Sequence, residues 1–420
     1  MGIPAVGAPA RTVMSSTATV LRPRRGILPA APRPTSARLV RRRVYLTWFL
    51  LYFNTLTFFP GVSFIPMPSS VGKAIAQAAL PCALLCALSL NRKVILRPNV
   101  LLCLVTLLVL GTFVTTLQPQ HFGTIYRTFR FAGFVAVLWL LTPWWGRRDM
   151  LLVRCHLMAL SIALGSVIIG LLVSPGHALW EGRLVGALWP MQATQVAHYA
   201  AVMVGLAVVL WFNGQLRGRT TALITVGAGA ILLLTHTRTA LIALVAGIVV
   251  AGMSLIVAKP RVRKLFATVG AIAAVAALTL SAVITTWLER GQNGADLTNL
   301  TGRTKVWGPL LAAPRDKFQE IFGFGLSNVS FNGLPIDSNW LAAYEQQGLF
   351  GVVICATILV FLLITAYFQP RGPRRALALF LVAYCLVASF TEVGFTDASP
   401  YLLDLAVAAS LLVPISEVAS

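Results

Sequence analysis

Along the chain, apolar residues run together in blocks of about twenty, separated by short polar breaks. The blocks fall at 44–65, 71–90, 99–117, 128–145, 150–173, 192–213, 219–235, 238–258, 265–287, 341–368, 374–391 and 399–415. An α-helix needs about 20 apolar residues to cross the hydrocarbon core, and these blocks lack the polar stripe of a surface helix. The run LLCLVTLLVLGTFVTTL at 101–117 carries no charge at all. The first block contains Pro60 and is expected to break or to lie partly in the interface. The pattern predicts an all-α, polytopic membrane protein of about 12 transmembrane helices.

Composition agrees. Of 420 residues, 57% are hydrophobic and 11% charged, against about 25% charged in soluble domains. Disordered, collagenous and disulfide-stapled chains are excluded on that ground, as is an ordinary cytosolic enzyme. Residues 1–43 stand apart as an arginine-rich segment without Asp or Glu, which predicts a disordered basic cytoplasmic tail. The expected organisation is then helices 1–9 over 44–287, one large loop over 288–340, and helices 10–12 over 341–420.

The net charge of +22 would suggest nucleic acid in a soluble protein, but its placement points elsewhere. With a cytoplasmic N-terminus, the tail and alternate loops collect most of the Lys and Arg with only Asp149 and Glu417 as acids. The opposite face is neutral overall. This is the positive-inside asymmetry, so both termini are expected in the cytoplasm, the excess charge serves topology and anionic membrane lipids, and no nucleic-acid partner is implied. All six cysteines lie in apolar blocks, so no disulfide framework is expected on the outer face. Cys82 and Cys86 read as packing residues.

Candidate chemistry gathers on the outer side. The 288–340 loop is too long to be a plain connection and carries mixed charge, a Gly323-Phe324-Gly325 turn and Asp337-Ser338-Asn339-Trp340. A short surface helix is expected to open near Thr301 or Thr304 and to carry Trp307 at the interface. Thr235-His236-Thr237-Arg238-Thr239 sits between the seventh and eighth blocks, Arg183 lies among glycines, and Arg127 and Arg130 share a helix face. A guanidinium fork suits diphosphate or carboxylate oxygens, so arginines converging on the outer face would suit an anionic ligand. His156 and His198 fall inside spans, His121, His177 and His236 in outer loops, and Asp404 near the outer end of the last span. No metal-binding spacing, P-loop or nucleotide fingerprint occurs, so neither metal nor cofactor is expected.

Several pieces occur in a telling order: Arg183-Leu184-Val185-Gly186 with Trp189-Pro190, then Thr237-Arg238-Thr239-Ala240, then Gly302-Arg303 with Trp307. Phe322-Gly323-Phe324-Gly325-Leu326 follows, then Asn339-Trp340-Leu341 running into Glu345-Gln346-Gln347-Gly348. Over roughly residues 180–352 the series resembles the core of the O-antigen ligase and O-antigen polymerase superfamily. The resemblance implies a GT-C-like fold with a large extracytoplasmic loop before the tenth span. It implies an inverting, metal-independent transfer of glycan from a polyprenyl-diphosphate carrier to a lipid, glycan or protein acceptor at the bacterial plasma membrane. Arg238 and Arg303 match the family's diphosphate-binding arginines, and Arg183 matches more loosely. The family's loop histidine is replaced here by Ser338, with Asp337 the natural substitute as base and His236 the alternative. Arg127, Arg130, Trp307 and Asn339 complete the candidate substrate contacts. The competing reading is a secondary transporter or flippase for an anionic lipid-linked glycan or solute.

Overall fold

A computed structural model describes Gly2 and residues 34–117, 122–256, 259–279, 304–326 and 330–415. Helices dominate it: α1 Pro34–Asn54, α2 Ser69–Leu90, α3 Val100–Thr115, α4 Phe122–Leu140, α5 Leu151–Val173 and the short α6 Pro175–Ala178. There follow α7 Ala193–Phe212, α8 Gly218–Leu234, α9 Arg238–Leu255, α10 Pro260–Thr279, α11 Thr304–Ala312 and α12 Lys317–Phe322. The chain closes with α13 Asn339–Phe368, α14 Pro373–Ala388 and α15 Pro400–Leu412. Two small antiparallel hairpins, β1 Leu179–Trp180 with β2 Arg183–Leu184 and β3 Ser330–Phe331 with β4 Leu334–Pro335, are the strands among the described residues.

Among the described residues, each apolar block after the first carries a helix over most of its length. By length and composition five of them, α2, α5, α7, α9 and α13, are able to cross a membrane, while α3, α8 and α15 are apolar but shorter. Among the described residues the protein is therefore all-α, with several helices of a length and composition that suit a membrane. The first block breaks ahead of its proline, as expected, and differs only in where its helix starts. Helix α1 begins at Pro34, taking in the last part of the expected tail, and stops at Asn54 before Pro60. The stretch after it pairs by backbone with the segment ahead of α7, Phe59 N–H to Pro190 O at 2.8 Å and Phe64 N–H to Ala187 O at 2.9 Å.

Helix α7 is buried along nearly its whole length, as are α14 and α15, so these three form the centre of the bundle. Around them α5, α8, α9 and α13 turn large apolar side chains outward, among them Leu172, Leu223, Val226, Met253 and Val353. Such a belt suits lipid, where apolar exposure costs nothing. Close approach at the centre depends on glycine. Phe380 on α14 lies against Gly205 of α7 and Gly247 of α9, and a Cβ on Gly205 would stand 1.8 Å from the ring's Cζ. Gly205→Ala is expected to destabilise the bundle by about 1–3 kcal/mol through overpacking. Phe380→Leu in the same chain should recover part of that loss in thermal unfolding in detergent. Equal midpoints for Gly205→Ala and wild type would contradict this packing.

Alternate connections segregate to opposite ends. At the basic end, Gly146 N–H donates to Ser410 O at 3.1 Å, Arg374 Nη2 donates to Val413 O at 2.7 Å, and Gln369 Nε2 donates to Leu412 O at 3.0 Å. At the other end meet the hairpin β1–β2, the α8–α9 turn, the start of α13 and the segment 389–399 between α14 and α15.

Candidate functional site

The β1–β2 hairpin turns through Glu181 and Gly182, both in the left-handed region at φ 49° and 71°. Two positive φ values in a two-residue loop give the tight hairpin that matches strand twist. The turn delivers Arg183 to the α8–α9 connection, where its Nε donates to Thr235 O at 3.0 Å and its Nη2 to Thr237 Oγ1 at 3.2 Å. Desolvation holds the Arg183 guanidinium below its ordinary pKa, opposed by the nearby charges of Glu392 and Glu181. His236, between the two threonines, takes φ 51°, so the chain reverses there and Thr237 precedes Arg238 at the start of α9. Arg183 and the Thr-His-Thr-Arg turn, far apart in sequence, are thus one unit.

That unit continues into residues 389–399. Thr391 Oγ1 donates to Thr239 Oγ1 at 2.8 Å. Further along, Gly394 N–H and Phe395 N–H donate to Asn339 Oδ1 at 3.2 and 2.8 Å, while Asn339 N–H donates to Ser389 O at 2.9 Å. Gln347 Nε2 donates to Thr396 O at 3.1 Å. Asn339 is fully buried and acts as a clamp for this segment. Asp337 is half-buried, just ahead of Ser338, the residue that starts α13.

The other end of the same segment is held by Arg130. Its Nη2 donates to Ala398 O at 3.1 Å and to Asn54 O at 3.3 Å, and its Nη1 lies 3.7 Å from Asp397 Oδ2. Arg130 therefore ties α1, α4 and the 389–399 segment together, a positioning role. Arg127 is half-buried one turn earlier. Arg303 lies outside the described residues, as do Thr301, Gly302 and His121.

Within the loop region, α11 is the expected short helix. Trp307 packs beside Val306, Leu310, Ile336 and Ala342, so the helix rests on the first turn of α13. Helix α13 is broken at Gly348, at φ 64° and ψ −160°. The Gly323-Phe324-Gly325 turn lodges in that break, with Phe324 N–H on Glu345 O and Gly325 N–H on Gln346 O, both at 2.9 Å. A Cβ on Gly323 would meet the Gln347 nitrogen at 2.4 Å, and one on Gly348 would meet Ile321 at the same distance. Arg315 fastens the arrangement by an ion pair to Glu345 at 2.5 Å, with its guanidinium 4.2 Å from the Tyr344 ring centre. Both halves of the motif series, the Phe-Gly-Phe-Gly turn and the Gln-Gln-Gly run, are thus partners in one joint.

Beside Arg183 opens a cleft of about 200 Å³ lined by Phe59, Trp180, Glu181, Arg183, Gln192 and Thr194. It offers aromatic faces, a cation, an acid and amide and hydroxyl groups. Deeper in the bundle, His156 and His198 flank Asp404, a pairing taken up below.

Sequence reasoning missed the hub. Residues 389–399 carry Glu392, Asp397 and several hydroxyls between two apolar blocks, a signal that was present but reads as an ordinary loop until the fold brings it to Asn339 and Thr239. No protein-family model matches the chain, and a search of curated proteins finds no match.

Proposed function

We propose that this protein transfers a glycan from a polyprenyl-diphosphate carrier to an acceptor hydroxyl at the outer face of a bacterial plasma membrane, as a ligase or polymerase of cell-surface polysaccharide. The motif series resembling the O-antigen ligase and polymerase superfamily supports this. The observation that carries it is the continuity from Arg183 through the Thr235–Arg238 turn and Thr391 to the Asn339 clamp. The reading includes twelve spans, both termini in the cytoplasm, and the large loop outside. It needs no metal and no cofactor.

In this scheme Arg238 and Arg303 hold the diphosphate, and the Thr237 and Thr239 hydroxyls line the approach. The acceptor oxygen attacks the anomeric carbon from the face opposite the leaving group, and the carbon–oxygen bond to phosphate breaks with its electron pair passing to the diphosphate. The acceptor proton goes to Asp337, with His236 the alternative base. Negative charge growing on the diphosphate is neutralised by the guanidinium groups, the largest expected contribution to rate. Trp307 and the cleft beside Arg183 offer surfaces to the sugars, and the polyprenyl chain stays in lipid.

The test is acceptor-dependent release of polyprenyl diphosphate by the purified protein in vesicles. Asp337→Asn is expected to lower the turnover about 10²–10⁴-fold, the range of a general base, with little change in donor binding. Undiminished release in Asp337→Asn together with full loss in His236→Gln would move the base to His236. Absence of release by wild type would reject the transfer reading.

One observation favours a second reading, a proton-coupled carrier of a lipid-linked glycan or anionic solute: the buried ionisable group around Asp404 is of the kind carriers use. Movement of donor across vesicles without acceptor, driven by a pH gradient, would select it.

A further inference from the structure

Asp404, on α15, is fully buried and touches a histidine with each carboxylate oxygen. His156 Nε2 of α5 lies 2.8 Å from Oδ1, and His198 Nε2 of α7 lies 3.1 Å from Oδ2. Both imidazoles are buried as well. The far nitrogen of His198, Nδ1, is 3.2 Å from the Tyr384 hydroxyl on α14. Four helices therefore meet at one ionisable group inside the bundle, about one turn along α15 from the 389–399 segment.

Charge counting decides its state. A carboxylate with two neutral imidazoles carries net −1, and an uncompensated charge in the bundle interior is strongly disfavoured. One additional proton makes the group neutral. We infer that Asp404, His156 and His198 form a proton-binding site inside the bundle, with the bound proton on His198. His198 is chosen over His156 by what each ring touches. A doubly protonated His198 sets its Nε2–H against Asp404 Oδ2 at 3.1 Å and donates Nδ1–H to the Tyr384 oxygen, so the ring nitrogen far from the carboxylate has a partner. His156 Nδ1 is buried without a hydrogen-bond partner among the described residues, so a proton there would be stranded. Three tyrosine rings also surround His198, Tyr401 at 4.1 Å between ring centres, Tyr384 at 5.4 Å and Tyr199 at 5.5 Å. Electron-rich rings at that range favour a cation. His156 instead meets Trp48 and Tyr52, at 6.1 and 5.9 Å.

The titratable groups facing Asp404 among the described residues are these two histidines, Tyr52 on α1, Tyr199 on α7, Tyr384 and Cys385 on α14, and Tyr401 on α15. The tyrosines and the cysteine are neutral in their ordinary states, so the exchangeable charge belongs to Asp404 and the histidines. The site also connects to the motif end. Ser399, which starts α15, accepts Leu402 N–H at 3.1 Å, donates to Gly394 O, and Gly394 N–H in turn reaches Asn339 Oδ1. Loss of the proton would leave a bare negative charge on the helix whose first turn holds the 389–399 segment. The inference stands whether the chain transfers glycans or carries them.

Nitrogen-15 NMR of histidine-labelled protein in bilayers tests it, because imidazolium and neutral imidazole nitrogens differ in shift. The sequence holds five histidines, and ordinary ones, with pKa about 6.5, are neutral at pH about 8.5. At that pH wild type is expected to keep one imidazolium per chain. The signal should vanish in His198→Gln, survive in His156→Gln, and disappear at lower pH in Tyr384→Phe than in wild type. Five neutral histidines at pH about 8.5 in wild type would overturn the proposal without need of any variant. So would an imidazolium that survives His198→Gln.

Discussion

Arg238→Ala is expected to cut acceptor-dependent release of polyprenyl diphosphate by about 10²–10³-fold, the effect of removing one preorganised group that stabilises charge in a transition state. Arg238 is half-buried in the first turn of α9, directly after the Thr237 hydroxyl that Arg183 holds. Its position is set from two sides, by Arg183 on Thr235 and Thr237 and by Thr391 on Thr239. Arg238→Lys keeps the charge but loses the planar fork, so it should fall between wild type and alanine. The fall should lie in kcat more than in KM, because charge on the leaving diphosphate grows only as the bond breaks. An alanine variant with wild-type kcat would remove Arg238 from the chemistry and with it the main support for the transfer reading.

The largest expected effect on stability belongs to the bundle interior. Asp404→Leu removes the shared partner of His156 and His198, and breaking a buried ionic contact from one side costs about 3–5 kcal/mol. The triple variant His156→Leu, His198→Leu, Asp404→Leu leaves only the neutral Tyr384 hydroxyl without its partner, and apolar replacement of a whole buried ionic group is often neutral or stabilising. It should therefore be more stable than Asp404→Leu alone when both are unfolded by denaturing detergent. A triple variant weaker than the single one would show that the histidines hold the bundle by packing and not through Asp404. Such non-additivity is the mark of groups acting as a unit.

These two sites differ in how far they could be read beforehand. The Thr-His-Thr-Arg turn, the Phe-Gly-Phe-Gly turn and Asn339 were visible as motifs because each is local. Their partners were not. Nothing in the sequence pairs Arg183 with Thr235, or lodges Gly323 against the break at Gly348, since those contacts cross 52 residues in one case and depend on two left-handed glycines in the other. Arg130 is another case: it reads as a ligand-binding arginine beside Arg127, and the fold adds contacts to Asn54, Ala398 and Asp397 that the sequence does not show.

What the sequence determined by itself is the elements, several of them long and apolar enough to cross a membrane. Apolar blocks of spanning length have one stable answer in hydrocarbon, the helix, because each backbone group must bond within its own segment. The charge asymmetry sorted the connections into two sets, and the fold assembles those sets at opposite ends. What only the tertiary structure decided is which helices are neighbours. Periodicity says where a residue sits around its own helix and nothing about which helix it faces, and in lipid that choice falls to close packing at small residues such as Gly205 and Gly247. Once α5, α7, α14 and α15 meet, His156, His198, Tyr384 and Asp404 cease to be four isolated polar residues in apolar helices and become one site.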